Sequence, residues 1–191
     1  MNFACLEEQW EPVGKAAAWA WLAFYAMFLV YAARDGSGYL FIDNANLVVH
    51  EGGHLLFGWF GPWIGIWGGT ILQWLVPLLL ASYFFVQRKP LAFAFCLFFF
   101  FENFLYTATY MADARAMQLP LVSAGGGDGE PEHDWNTIFS HLGVLQYDMR
   151  IANVIRSLGW LGMLSTTGWL AFRSWRSRNA SVELAHLSEV K

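Results

Sequence analysis

The sequence predicts an all-α integral membrane protein of about five transmembrane helices, each built from roughly 20 mostly apolar residues. Three observations carry that expectation. Only 14% of the 191 residues are charged while 57% are hydrophobic, whereas an ordinary soluble domain carries about 25% charge. Apolar blocks long enough to cross a bilayer recur at 16–34, 63–86, 91–112 and 151–172. The one sizeable polar stretch, 113–150, lies between the last two blocks, so the chain 1–191 reads as a single membrane domain.

The block 16–34 follows an acidic start with Glu7, Glu8 and Glu11 and lacks both a basic leader and a small-residue cleavage site, so it reads as a retained span. A further span is expected at 39–60 although Asp43, Asn44 and Asn46 interrupt it. Polar residues at membrane depth are tolerated where they face a bundle interior, and these three either cap the helix start or hydrate a cavity. Gly61-Pro62 marks a tight turn into 63–86, and Gln87-Arg88-Lys89 turns the chain back into 91–112. The outer loop 113–150 holds a Gly-rich tract, Ser123 to Gly129. After it, Ile138, Phe139, Leu142 and Leu145 recur at helical spacing, which predicts a short helix lying flat at the membrane interface.

The block 151–172 is the last span, and the tail 173–191 is expected to fray from about Ser181. Five spans put Arg34, Arg88, Lys89 and the Arg173 to Arg178 run on one side. By the positive-inside rule that side is cytoplasmic, giving an N-out, C-in chain in a bacterial inner membrane. Cys5 and Cys96 form no disulfide framework. A net charge of -4 without a basic, aromatic-rich patch excludes nucleic acid as a partner.

Chemistry concentrates in His50-Glu51-Gly52-Gly53-His54. On a helix, positions i and i+4 share a face, so both imidazoles can hold one Zn2+ while the carboxylate beside them serves as a general base. Without a metal, the same residues would be a buried polar cluster pinning two helices together. Catalytic zinc needs a third protein ligand. Glu102 and Asp113 compete for that role and His133 stands behind them. Glu102, Tyr106, Thr109 and Asp113 share one helix face, which is expected to look into the site. His133 has a second candidate role, steadying an oxyanion. His141 and His186 read as an interfacial and a tail residue, and Gln73 and Asn103 as interhelical hydrogen-bonders. Gly52-Gly53 allows a neighbouring helix or a substrate backbone to come close.

Val48-Val49-His50-Glu51-Gly52-Gly53-His54-Leu55-Leu56 resembles the membrane-embedded zinc metalloproteases of the site-two protease type. The resemblance implies that His50 and His54 bind zinc, that Glu51 is the general base, and that an aspartate on a later span completes the metal site. That family's aspartate lies in an Asp-Gly pair on a helix, whereas the Asp-Gly pairs here, Asp35-Gly36 and Asp128-Gly129, fall in loops, leaving Asp113 as the positional substitute. Tyr110-Met111-Ala112-Asp113-Ala114 is also similar to a segment of membrane-anchored gluzincin proteases, with Thr109 where their glutamate ligand stands. The expected partners are the lipid bilayer and a membrane-protein or peptide substrate. Two other functions compete: a non-proteolytic, metal-binding subunit of a larger membrane complex, and a metal-dependent enzyme acting on a lipid or other small molecule.

Overall fold

The computed structural model describes residues 10–121 and 132–189, with side chains through residue 176. Cys5, Glu7, Glu8 and the Gly-rich tract Ser123 to Gly129 lie outside the described residues, as does the side chain of His186. Among the described residues six α-helices follow one another: α1 (Lys15–Arg34), α2 (Asp43–Phe57), α3 (Pro62–Val86), α4 (Pro90–Ala112), α5 (Asp134–His141) and α6 (Asp148–Glu189). Prolines at the first position of α3 and α4 start those helices at no hydrogen-bond cost, and Gly61 takes the φ of +107° needed to turn into Pro62. No break occurs at Ser181, because α6 continues to Glu189.

Among the described residues, three helices, α1, α3 and α4, are long and apolar enough to cross a membrane. The helix α2 is shorter: its 15 residues span about 22 Å, against a hydrocarbon core of about 30 Å. It starts level with the middle of α4, where Asn46 Nδ2 donates to Glu102 Oε2 at 3.1 Å. One turn later His50 packs edge-on to Tyr106 and Tyr110 near the end of α4. The stretch 39–60 therefore rises from mid-bundle to one end and returns through α3 from that same end.

That geometry corrects the expected sidedness. Trp10 lies under the guanidinium groups of Arg88 and Arg173, at 5.6 and 4.8 Å from its ring centre, and Glu11 N donates to the Arg88 carbonyl at 3.0 Å. The start of α1, the α3–α4 turn and Arg173 thus share one end of the bundle. The chain cannot be N-out while Arg88 and Arg173 face in. At the opposite end Gly38, with φ +70°, abuts the Thr109 side chain.

Helix α4 packs along α6 and against α3, and α2 packs along α3. Glycines permit the closest approaches: Gly162 and Gly159 face Phe101, and Gly53 faces the backbone of Gly68 and Gly69. One apolar core joins Tyr25, Ala94, Phe98, Met163 and Leu170 from α1, α4 and α6. A second core, at the site's end of the bundle, joins Ala108, Met111 and Ala114 to Trp135, Ile138, Phe139 and Ala152. It places α5 within the protein, with Trp135, Ile138 and Phe139 each at most 3% exposed, so α5 is not the surface-lying helix the periodicity predicted. Only Leu142 of that apolar set is strongly exposed, at 52%.

Candidate metal centre

The pentapeptide lies inside α2, and its spacing puts both histidines on the face that meets α3. Each Nδ1 meets an acceptor. His54 Nδ1 is 2.8 Å from the Gly65 carbonyl oxygen and His50 Nδ1 is 3.2 Å from Gln73 Oε1. A carbonyl oxygen can only accept, so Nδ1 carries a hydrogen, and Nε2 of each ring holds a lone pair when that ring is neutral. Both lone pairs aim at one carboxylate. Asp134 Oδ2 stands 3.0 Å from His50 Nε2 and 3.2 Å from His54 Nε2.

Atoms so placed attract one another only with a cation between them, either a proton on an imidazole Nε2 or a metal ion. Metal–ligand lengths of 2.0–2.2 Å in a tetrahedron place neighbouring ligand atoms about 3.3–3.5 Å apart. The two Asp134 distances lie close to that edge. The backbone of α3 leaves matching room. A Cβ built on Gly69 would stand 2.5 Å from His50 Nε2 and 2.6 Å from His54 Nε2, so glycine keeps open the space beside the donor nitrogens. The donor set and this opening fit a zinc ion held by His50, His54 and Asp134. Ligand atoms of His50, Glu51 and His54 also lie within 4.8 Å of one another.

Asp134 owes its place to its neighbours. His133 caps α5 by accepting from Asn136 N at 3.2 Å, Trp135 anchors the helix in the core, and Asp134 N donates to the Tyr110 hydroxyl at 3.1 Å. Burial pushes the Asp134 carboxyl up, but the two imidazoles together outweigh it and hold its pKa below the usual carboxylate value.

The expected third ligands sit elsewhere. Glu102 is fully buried and takes the Asn46 amide, which also donates to Asp43 Oδ1 at 2.9 Å. Asp43 Oδ2 in turn accepts from Leu40 N at 2.6 Å, so this carboxylate closes the start of α2. Asp113 accepts from Gln118 N and Leu119 N at 3.0 Å, and its Oδ2 lies 3.4 Å from His133 Nε2. Burial pushes the His133 imidazole down and Asp113 only partly offsets that, leaving a neutral ring. Its Nδ1 caps α5 and its Nε2 faces Asp113, so His133 turns away from the centre and cannot steady an oxyanion there. Tyr110 packs edge-on to His50, with ring centres 5.9 Å apart. Its oxygen accepts from Asp134 N, which leaves its own hydrogen free to donate.

Of the α4 face, Tyr106 and Thr109 do look toward α2. With Tyr110, His50 and Glu51 they line a cavity of about 320 Å³. Gln73 behaves as an interhelical hydrogen-bonder, as expected, and its partner is a metal-centre histidine. Asn103 bonds the Phe99 carbonyl in its own helix instead. His141 stacks on Trp63 with ring centres 4.4 Å apart.

No protein-family model, curated protein or solved structure matches this chain. What the site can do therefore follows from its own geometry.

Asp134 and Gly69 are the residues that sequence reasoning missed. Asp134 carried a weak signal, a His-Asp pair at a helix start followed by an aromatic anchor. Gly69 carried another, since Gly68-Gly69 inside an apolar span mirrors Gly52-Gly53.

Proposed function

We propose that the protein is a membrane-embedded zinc metallohydrolase that cleaves a peptide bond in a membrane or membrane-proximal substrate. The observation that carries this reading is the convergence of His50 Nε2, His54 Nε2 and Asp134 Oδ2 beside the bare Gly69 backbone. The resemblance of the α2 motif to site-two-type proteases supports the choice of peptide. When bound, zinc supplies a Lewis acid that polarises a carbonyl and brings the pKa of a coordinated water toward about 7.

The chain's own residues do the rest. Glu51, next to the first ligand, takes the water's proton and returns it to the leaving amine. Tyr110 donates its hydroxyl hydrogen to the carbonyl oxygen as negative charge develops there. Gln73 and Gly65 hold the two rings in the tautomer that presents Nε2. The substrate must present an unwound segment, because a helical backbone keeps its carbonyls hydrogen-bonded.

In this reading α1, α3, α4 and the apolar 151–172 part of α6 cross the bilayer, and α2 enters only part-way. The end carrying Arg88, Lys89 and Arg173 faces the cytoplasm by the positive-inside rule, so both termini are cytoplasmic and the metal centre lies toward the other face. A second reading is a metal-binding subunit without proteolytic activity. It draws on the outward face of α2 and the turn after it, where Val48, Trp59 and Phe60 are 72%, 91% and 68% exposed and a partner subunit could cover them.

Elemental analysis of protein purified in mild detergent tests the reading, with about one zinc expected per chain. Glu51→Gln should keep the metal and abolish cleavage of a membrane substrate. Metal without cleavage by wild type would turn the choice to the subunit, and absence of metal would overturn the centre itself.

A further inference from the structure

The cavity beside Glu51 has a definite shape and chemistry. Its volume is about 320 Å³, and Tyr39, Leu47, Tyr106, Tyr110, Leu119 and Leu121 supply most of its wall. Small-ligand sites run from about 300 to 1,000 Å³, so this one sits at the lower end. It has room for one large side chain with its adjoining backbone. Among the described residues, Glu51 is the only charged side chain at its wall. A carboxylate entering there would meet Glu51, and any charged group would lose its water against aromatic and aliphatic surface.

Two features fix the cavity in place. Gly38, at φ +70°, packs on Thr109 so closely that a Cβ would stand 2.9 Å from Thr109 Cγ2, which holds the 38–39 turn against α4. On the other side, Asp113 accepts from Gln118 N and Leu119 N and so holds the segment leading to Leu121 against the cavity. His50 and Glu51 form part of the wall, and the Tyr110 ring lines the cavity while packing edge-on to His50.

We propose that this cavity is the specificity pocket of the centre and takes one bulky apolar side chain, aromatic or leucine-like, of an extended peptide. The side chain belongs to a residue next to the attacked carbonyl, because Glu51 and His50 themselves line the cavity. The proposal rests on the zinc-hydrolase reading and deepens it by naming the substrate class.

The test uses the full-length zinc-loaded protein in detergent and a series of hydroxamates, whose head group ligates zinc. Acetohydroxamate, without a side chain, reports the metal centre alone. The hydroxamates of acetyl-glycine, acetyl-leucine, acetyl-phenylalanine and acetyl-aspartate report the cavity. The leucine and phenylalanine probes should bind about tenfold or more tighter than the glycine probe, the gain expected for filling an apolar pocket, and the aspartate probe should gain nothing. Leu47→Trp fills the cavity from α2 and Leu121→Trp from the rim, and either should erase most of that preference while acetohydroxamate still binds. The second variant keeps the test decisive if the first fails to fold. Binding of acetohydroxamate with no side-chain preference would overturn the pocket and leave the zinc centre standing. A decanoyl hydroxamate that outcompetes the phenylalanine probe would also overturn it, in favour of a lipid occupant. Failure of acetohydroxamate and of zinc to bind would overturn both.

Discussion

Gly69→Ala removes no ligand and no hydrogen bond, yet it should destroy the metal centre. Its methyl would stand 2.5 Å from His50 Nε2, 2.7 Å from His50 Cδ2 and 2.6 Å from His54 Nε2. Non-bonded heavy atoms rest about 3.5 Å apart, so the overlap with both nitrogens is about 1 Å. Moving the helices apart to relieve it would open the backbone contact that Gly53 and Gly68 make between α2 and α3. Each imidazole is tethered through its Nδ1, so the rings can retreat only by giving up Gly65 and Gln73. Loss of an outer partner alone costs about 10–100-fold in metal affinity, and occupation of the metal's own space should exceed about 100-fold. The assay is zinc affinity by competition with a chromophoric chelator. Gly168→Ala serves as the control, since a Cβ there meets nothing within 4 Å. Helix content should hold in both variants, because alanine is intrinsically the better helix former by about 1 kcal/mol. Zinc affinity in Gly69→Ala within about threefold of wild type would refute the placement of the ion beside α3.

Replacing each candidate carboxylate in turn should order their roles: Asp134→Asn should lose zinc to about the extent of His54→Ala, while Glu102→Gln and Asp113→Asn keep it, as read by metal content. Equal loss in Glu102→Gln would overturn the assignment of Asp134. Trp135→Ala touches no ligand, but it removes the anchor of α5 and should weaken zinc binding by roughly 10–100-fold, the range seen when the support of a ligand is lost. Gly53→Ala would press a Cβ onto the Gly68 backbone and to 2.8 Å from Gly69 Cα, costing about 1–3 kcal/mol in thermal unfolding. Gly52→Ala, whose Cβ meets only Leu72 at 3.9 Å, should be neutral or stabilising by up to about 1 kcal/mol. Asp148 is buried and bonded to Arg115 Nε at 2.8 Å, and that bond holds its pKa below the ordinary carboxylate value. Its contribution is therefore present above the unfolded value of about 3.9 and lost as pH falls through the lower folded value. The stability difference between wild type and Asp148→Asn should shrink between pH 6 and pH 3, and a gap that stays constant over that range would exclude the pair as its source.

The parts legible in the sequence are those governed by local periodicity. Two histidines four apart share a helix face wherever that helix goes, so the α2 pair could be read at once. The long apolar runs that became α1, α3 and α4 are local in the same sense, and so are the Gly61-Pro62 and Gln87-Arg88-Lys89 turns. Depth is not local. Whether the residues 39–60 cross the bilayer depends on where α2 starts against α4, and that is set by Asn46 meeting Glu102 56 positions away. The proposed third ligand is equally non-local: Asp134 lies 84 positions beyond His50 and reaches it where Trp135, Ile138 and Phe139 bury against the end of α4. Periodicity registered those apolar residues, but it cannot tell a helix packed on protein from one packed on lipid.

The role of α4 follows from the same distinction. Its polar face does approach the metal helix, and the ionisable residues on it were natural candidates for ligands. Each instead holds another element still. Glu102 and Asp43 share the Asn46 amide at the start of α2, and Asp113 ties down both His133 and the segment that leads to Leu121. Tyr110 takes the backbone hydrogen of Asp134 and keeps its own hydrogen for the site. A carboxylate already engaged in two backbone hydrogen bonds, as Asp113 is, would have to give them up to reach an ion. Asp134 gives up nothing, because its backbone is held by Tyr110 and its Oδ2 already stands against both imidazoles. Preorganisation of this kind favours a ligand whose scaffold is packed apolar surface. The burial of Trp135, Ile138 and Phe139, worth roughly 1.5–3 kcal/mol for each large side chain, supplies that scaffold before any metal arrives.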